Sequence, residues 1–396
     1  MTAQGRARPP DVTAVPVPRR GYLGPLRLPQ VLIAEAAVFA VAAAATQGAL
    51  PALIAAVVAA VLLAVAFARR QNRWWLEHAA LTRDHRRRRA ARPDTGSGPV
   101  LAALRTIGPG LTVSDIPGKS SPEATGIARD DAGWFGVVAL DAPVPLDTLV
   151  SSLAATEQPG VVLALVTHTV PAPSPDLPAA SPAGASYRRL SEAMAMATAI
   201  APIPAHRESS ISVRVDAQAL AESVLDHTAD PASAAALAAA LTRKIATALR
   251  RLGLAGRVLS ARELVELLAR SCDVEPGAPA QAGEEWTHWR SNHLVHRTYW
   301  LQTWPRSIAE LGPLFGWAST APAAQTSVAL IVGATGAGDV PVRAFIRLAT
   351  RPDVDLTALD RVLLDGVRRA GGELRPLDGE HGPATYATAP TGGGAG

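Results

Sequence analysis

The chain has 396 residues, 48% hydrophobic and 18% charged, a balance that excludes wholesale disorder. Its one cysteine, Cys272, excludes an internal disulfide framework and a cysteine-based zinc site. Through Arg92 there are 14 arginines and 4 acids, a formal +10, and the remainder carries −6 to give the net +4; the basic excess flanks two apolar runs instead of lining a face with stacking aromatics, which argues against a nucleic-acid surface.

Residues 1–30 read as a basic cytoplasmic tail and 31–68 as a transmembrane hairpin, about 31–47 and 50–68. One helix from Val31 to Ala68 would be about 57 Å long at 1.5 Å per residue, too long for a bilayer; Gly48 and Pro51 mark the bend. Arg19, Arg20 and Arg27 precede the first run, Arg69, Arg70 and Arg73 follow the second, and the turn between them is uncharged. The positive-inside rule then puts both termini and the large domain on the cytoplasmic side of the cell (inner) membrane. The expected interface anchors are Tyr22, Arg27, Arg69, Arg70, Arg73, Trp74 and Trp75. Ala52, Ala56, Ala60 and Ala64 recur at every fourth residue, the small-residue spacing that lets helix backbones approach in lipid. Glu35 stands six residues after Pro29, in the N-terminal part of the run, where the helix N-terminus and interfacial water are expected to tolerate a carboxylate.

Residues 69–98 read as a basic juxtamembrane helix or linker, with Arg83 to Ser97 as its linker part. Its arginines suit anionic lipids of the cytoplasmic leaflet, at about 1 kcal/mol per charge. An α+β cytoplasmic region follows at 99–270, with strands expected at 133–140, 160–170 and 209–216, helices at Leu146–Ala155 and 232–252, and a Ser260–Glu263 capping box opening another helix. Pro171 to Pro182 reads as an exposed loop, 271–285 as a connector, and 286–390 as a Trp-rich α+β second region. Within that second region, residues 296–304 alternate with His296, Thr298, Trp300, Gln302 and Trp304 on one side. A helix runs to Gly371 from the caps Asp353 and Asp355, and ELRPLDG and PATYATA read as two short closing strands. Residues 391–396 read as a flexible Gly-rich tail, and no internal repeat stands out. The fold class is therefore a membrane-anchored α+β protein, with an N-terminal two-helix hairpin before a mixed α/β cytoplasmic domain.

No catalytic, cofactor or metal site is expected. GATGAGD at 333–339 lacks the lysine of a phosphate loop and reads as a hairpin turn. His288, His293 and His296 are spaced poorly for a helical metal site. Trp286, Trp289, Trp300 and Trp304 are candidates for partner contact or for an aromatic core. Asp353 and Asp355 match a short Asp-x-Asp pattern, so the alternative reading is a membrane-tethered, nucleotide-sugar-dependent transferase.

In order and spacing, RRGYLGPLRLPQ (19–30), RRQNRWW (69–75), GWFGVVAL (133–140), SSISVRVD (209–216), LVHRTYWLQTWP (294–305), VRAFIRLAT (342–350) and LDGEHGPATYATAPTGGG (377–394) resemble EccE, a membrane component of the type VII (ESX) secretion system. The resemblance spans about Gly21 to Gly394; Ala-Pro-Thr-Gly-Gly at 389–393 departs from the family's Leu-Pro-Leu-Gly-Gly. It implies a non-enzymatic structural subunit, with EccB, the EccC ATPase and EccD as partners, that supports export of WXG100-type proteins.

Overall fold

The structure is a computed structural model. It describes residues 13–16, 22–23, 26–70, 73–90, 98–118, 124–142, 144–156, 158, 160–170, 189, 206–219, 231–275, 283–306, 310–333 and 339–393. The Pro171–Pro182 stretch, 91–97 of the expected linker, 334–338 of the glycine loop and 394–396 of the expected tail lie outside the described residues. The chain divides into two units, 17–90 and a larger one comprising 1–16 with 91–396. The larger unit begins with strand β1 (Thr13–Pro16).

Within 17–90, a short hairpin of β2 (Tyr22–Leu23) and β3 (Leu26–Arg27) leads into α1 (Leu28–Ala45) and α2 (Ala49–Phe67). β4 (Arg69–Arg70), β5 (Arg73–Trp74) and α3 (Trp75–Ala90) follow. The chain reverses at Gly48, whose φ of 130° only glycine adopts readily, and Pro51 sits in the first turn of α2, where its missing N–H costs nothing. Among the described residues one helix, α2, is long and apolar enough to cross a membrane; the apolar stretch of α1, Gln30–Ala45, is shorter. Leu53, Ile54, Val57, Val58, Val61 and Leu62 of α2 are all exposed, an outer surface suited to hydrocarbon and not to water.

The two helices pack along a different line from the expected one. In α1 the covered positions include Gln30, Ala34, Ala37, Val41 and Ala44, and in α2 Ala52, Ala55, Ala59, Leu63 and Ala66, whereas Ala56, Ala60 and Ala64 are exposed. Steps of four drift about 40° around a helix each time, while steps alternating three and four average 3.5 and stay on one face. Of the four expected packing alanines only Ala52 lies on the line. The Gln30 side-chain amide closes the open end by donating to the Ala66 carbonyl at 2.8 Å.

Among the described residues the larger unit is built on a 13-stranded sheet. After α4 (Pro99–Leu104) come β6 (Thr112–Ile116), β7 (Thr125–Asp130), β8 (Gly133–Leu140), α5 (Leu146–Ala154), β9 (Val161–Val170), β10 (His206–Asp216), α6 (Pro231–Arg251), β11 (Gly256–Val258) and α7 (Ala261–Ser271). Then follow β12 (Gly283–Glu284), β13 (Trp289–Arg290), β14 (Val295–Thr303), α8 (Leu311–Ala318), β15 (Gln325–Gly333), β16 (Asp339–Thr350), α9 (Leu356–Arg369), β17 (Glu373–Pro376) and α10 (His381–Ala387). The strand order is β12-β13-β14-β16-β15-β9-β10-β8-β7-β6, with β11 on β8, β17 on β14 and β1 on β16. Among the described strands only β1 pairs in parallel.

This order contains a repeat. β8-α5-β9-β10-α6-β11 and β14-α8-β15-β16-α9-β17 are both βαββαβ units, paired β11-β8-β10-β9 and β17-β14-β16-β15, the split βαβ arrangement. They join edge to edge through antiparallel β9 and β15. Each is preceded by a hairpin and followed by a helix, α7 or α10. The sequence does not reveal this, because equivalent strands share an in–out pattern without sharing residues.

Alternation along the strands makes three layers. Leu163, Leu165, Ile211, Val213, Val328, Leu330, Ile346 and Leu348 pack under α5, α6, α8 and α9. On the other face Phe135, Val137 and Trp289 meet α4, α7 and Tyr386 of α10. Helix α7 starts at the expected capping box, with Ser260 and Glu263 each satisfying the other's backbone N–H. Asp355 caps α9 by accepting from Thr357 N at 2.9 Å.

Three further expectations are corrected. PATYATA lies in and just past the helix α10 instead of forming a strand: His381–Ala387 is helical and buries Ala384, Thr385 and Tyr386. Arg83 to Ala90 belongs to α3, where the expected linker was to begin. The flexible tail does not start at 391: Thr391, Gly392 and Gly393 are buried against the sheet, with Gly392 beside Arg214 and Gly393 beside Ile331.

Candidate functional site

The face under α7 and α10 carries a polar seam. Alternation in β10 puts Ile211, Val213 and Val215 under the larger helices and turns Arg214 to the other side. Its Nη1 donates to Asp130 Oδ1 at 2.7 Å and its Nε to the Thr391 carbonyl at 2.9 Å; its guanidinium lies 5.0 Å from the Phe135 ring centroid. Asp130 also accepts from Tyr386 Oη at 2.8 Å and Ala132 N at 2.9 Å. Burial pushes the Asp130 carboxyl up, but the Arg214 bonds and charge, the Tyr386 hydroxyl and the Ala132 amide together hold it below the usual range. The Tyr386 hydroxyl is pushed well up by burial and by the Asp130 charge.

A second group surrounds Arg347 of β16, which is fully buried. Its Nη2 donates to the Ser271 carbonyl at 2.7 Å and to Ser327 Oγ at 3.0 Å. His168 bridges Ser327 Oγ at 2.7 Å and Ser271 Oγ at 2.9 Å. Burial, then the charges of Arg347 and Arg270, hold His168 well below the imidazole range. The Cys272 thiol is pushed up to about 11, burial outweighing the pull of Arg347. A neutral histidine between two serines has the parts of a proton relay, but at this burial no substrate reaches it and it acts as a strut.

A third group ties β14 to α9. Arg297 Nη1 pairs with Asp360 at 2.7 Å, and Tyr299 Oη donates to the same carboxylate. Burial raises the Asp360 pKa against those two partners. Thr298 N donates to His381 Nδ1 at 3.3 Å, so Nε2 carries the proton toward Asp378.

The aromatic candidates separate. Trp289 is 1% exposed and packs against His296 with ring centroids 5.0 Å apart and planes tilted by 48°, so it belongs to the core. Trp286, Trp300 and Trp304 are half-buried. A bulge between Leu301 and Thr303 breaks the alternation, and Trp304 joins the core cluster of the opposite face. Trp317, which sequence reasoning did not single out, is 38% exposed. It stands in an open groove of about 650 Å³ between α8 and α9, lined by Pro313, Leu314, Gly366 and Arg369. Gly366 was the available signal: a glycine inside a helix, with the Trp317 ring against it where a Cβ would stand.

Of the membrane-anchor candidates, Arg69 lies 4.1 Å from the Trp74 ring centroid and Phe67 meets that ring edge-on at 6.1 Å. Arg73 and Trp74 are buried and Trp75 is 43% exposed. The side chains of Tyr22, Arg27 and Arg70 lie outside the described part of the structure. Trp75, His78, Thr82, Arg83, Arg86 and Arg87 line one stripe of α3. Asp355 is occupied as a cap and Asp353 is exposed beside it; no group of three metal-ligating side chains forms among the described residues. Nothing supports the transferase alternative.

Residues 203–301 match the family model described as "Putative type VII ESX secretion system translocon, EccE". Over these residues the chain is EccE-like. The EccE-matched segment is 99 of the 396 residues, and it holds β10 with Arg214, the α7 end with Ser271 and Cys272, and most of β14. It is thus the stretch that leads from one βαββαβ unit into the next. No curated protein matches the chain.

Proposed function

We propose that the chain is a non-enzymatic structural subunit of a type VII secretion membrane complex. Two helical passes anchor it, and it presents its mixed α/β domain in the cytoplasm for assembly with EccB, the EccC ATPase and EccD, in support of WXG100-type export. The observation that carries the reading is the EccE match at 203–301. The buried polar groups described above fit it, since they brace the fold and leave no reacting atom open to solvent.

The pairing of β1 with β16 supports the anchoring scheme. β1 precedes the apolar helices and β16 follows them, yet Thr13–Pro16 register against Asp339–Val342 in one sheet. Chain ends that share a sheet share a side of the membrane, so crossings between them come in even number. On the reading that α2 spans, α1 serves as its return pass, lengthened by the polar turns at its ends or fitted by local thinning of the bilayer. The arginines on either side favour the cytoplasm for both ends. The Trp75–Arg87 stripe of α3 suits anionic headgroups of that leaflet.

Mild-detergent purification of the tagged full chain, followed by mass spectrometry, tests the assignment. Recovery of the ATPase and the other core membrane components is expected, and deletion of 31–68 should release the domain to the cytosol and end their recovery. A full chain that purifies without any of them contradicts the reading.

A further inference from the structure

The repeat supplies an internal comparison. Arg214 is the ninth residue of β10 and Arg347 the ninth of β16, each the third strand of its unit. Both turn to the α7/α10 face and both take a carbonyl from the end of the other unit, Thr391 for Arg214 and Ser271 for Arg347. They differ in their counter-charge. Arg214 holds the Asp130 carboxylate through two nitrogens. Arg347 is 0% exposed; the Cys272 thiol is a further side-chain partner of its guanidinium, and its Nε and Nη1 make no hydrogen bond to nitrogen or oxygen among the described residues. The residue opposite it in β14, Thr298, is likewise 0% exposed with Oγ1 unpartnered.

The groups nearest Arg347 are neutral: His168 and His296 are kept unprotonated by burial and Cys272 keeps its proton. Asp273 is turned away, accepting from the amides of His293 at 2.8 Å and Leu294 at 3.1 Å. The partial negative charge at the α7 C-terminus, through the Ser271 carbonyl, offsets part of the guanidinium charge. The remaining donors, two guanidinium nitrogens and a hydroxyl, match one compact acceptor of charge −1, which is what a buried arginine without a carboxylate needs.

We propose that Arg347 and Thr298 bind a small inorganic monoanion of the size and charge of chloride, which does at Arg347 what Asp130 does at Arg214. The anion is a structural ligand, buried where the two repeated units interlock.

The test uses the purified full chain in detergent. Its thermal unfolding midpoint should rise saturably, by roughly 2–4 °C, when sodium gluconate is replaced by sodium chloride at constant ionic strength, and chloride-35 NMR should show excess line broadening. Thr298→Asp, which installs an internal carboxylate opposite Arg347, should abolish both effects. Thr298→Val, which removes one donor without adding charge or bulk, should weaken the apparent chloride affinity several-fold. A parent protein that melts at the same temperature in both salts overturns the proposal. So does chloride broadening that both variants leave unchanged, which would mean an adventitious ion elsewhere.

Discussion

Arg214 and Arg347 stand at equivalent positions of two repeated units, and each is held by a main-chain carbonyl contributed by the other unit. The reciprocal arrangement makes the last residue of α7 and the segment after α10 parts of a shared seam. Neither βαββαβ unit completes its own polar face. The unit 1–16 with 91–396 is therefore expected to unfold as one body.

The Arg214–Asp130 pair sets the first expectation. Both side chains are under 5% exposed, so removing one partner strands a buried charge. Asp130→Asn should cost about 3–5 kcal/mol in a denaturant titration at pH 7. The Asp130 carboxyl is depressed in the folded state, so its contribution is present above the unfolded value of about 3.9 and is lost as pH falls through the lower folded value. A denaturation midpoint that does not respond to Asp130→Asn at pH 7 contradicts this.

The buried histidines act in a higher pH window. His168 and His296 lie well below the ordinary imidazole value, through burial first and the Arg347 charge second. The unfolded chain takes up protons below about pH 6.5 while the folded one does not, so each histidine lowers stability by up to about 1.4 kcal/mol per pH unit below that point. Stability measured from pH 7.5 to 5 should fall in the parent and fall less steeply in His168→Asn. Equal slopes would count against a neutral His168.

The apolar hairpin separates two packing lines. Ala59 is 7% exposed, and Ala60, its neighbour, is exposed. In a Gln30→Cys/Ala66→Cys protein, a short bismaleimide should link the two helices. Ala59→Leu should suppress that link and Ala60→Leu should not. The opposite result would restore the four-residue spacing as the contact line.

Ending the chain after Pro390 removes the Thr391 carbonyl from Arg214 and the cover of Gly392 and Gly393. Loss of the acceptor alone should cost about 1–3 kcal/mol, read as a lower unfolding midpoint. A truncated protein as stable as the parent would mean the segment contributes no anchoring.

Much of this fold is legible locally. GWFGVVAL is β8 to the residue, the Ser260–Glu263 box opens α7, and Asp355 caps α9, because each is decided by neighbours within one turn or one strand. What depends on distant partners was not legible. PATYATA is helical because its buried side fills the space over β13 and β14, and nothing in its own composition states that. The two arginines look like any polar residue alternating in a strand; their importance comes from strand pairing and from carbonyls 177 and 76 residues away. The repeat is likewise a property of pairing order, with no trace in spacing along the chain.

The even crossing number is tested most directly by impermeant-maleimide labelling in whole cells. The native background is silent, since Cys272 is fully buried with its thiol pushed up to about 11. With single cysteines placed at Thr2, Gln47 and Gly394, the account predicts that Gln47→Cys labels in intact cells and that Thr2→Cys and Gly394→Cys label only after lysis. Labelling of Gly394→Cys in intact cells, or of the two ends on opposite sides, would contradict it.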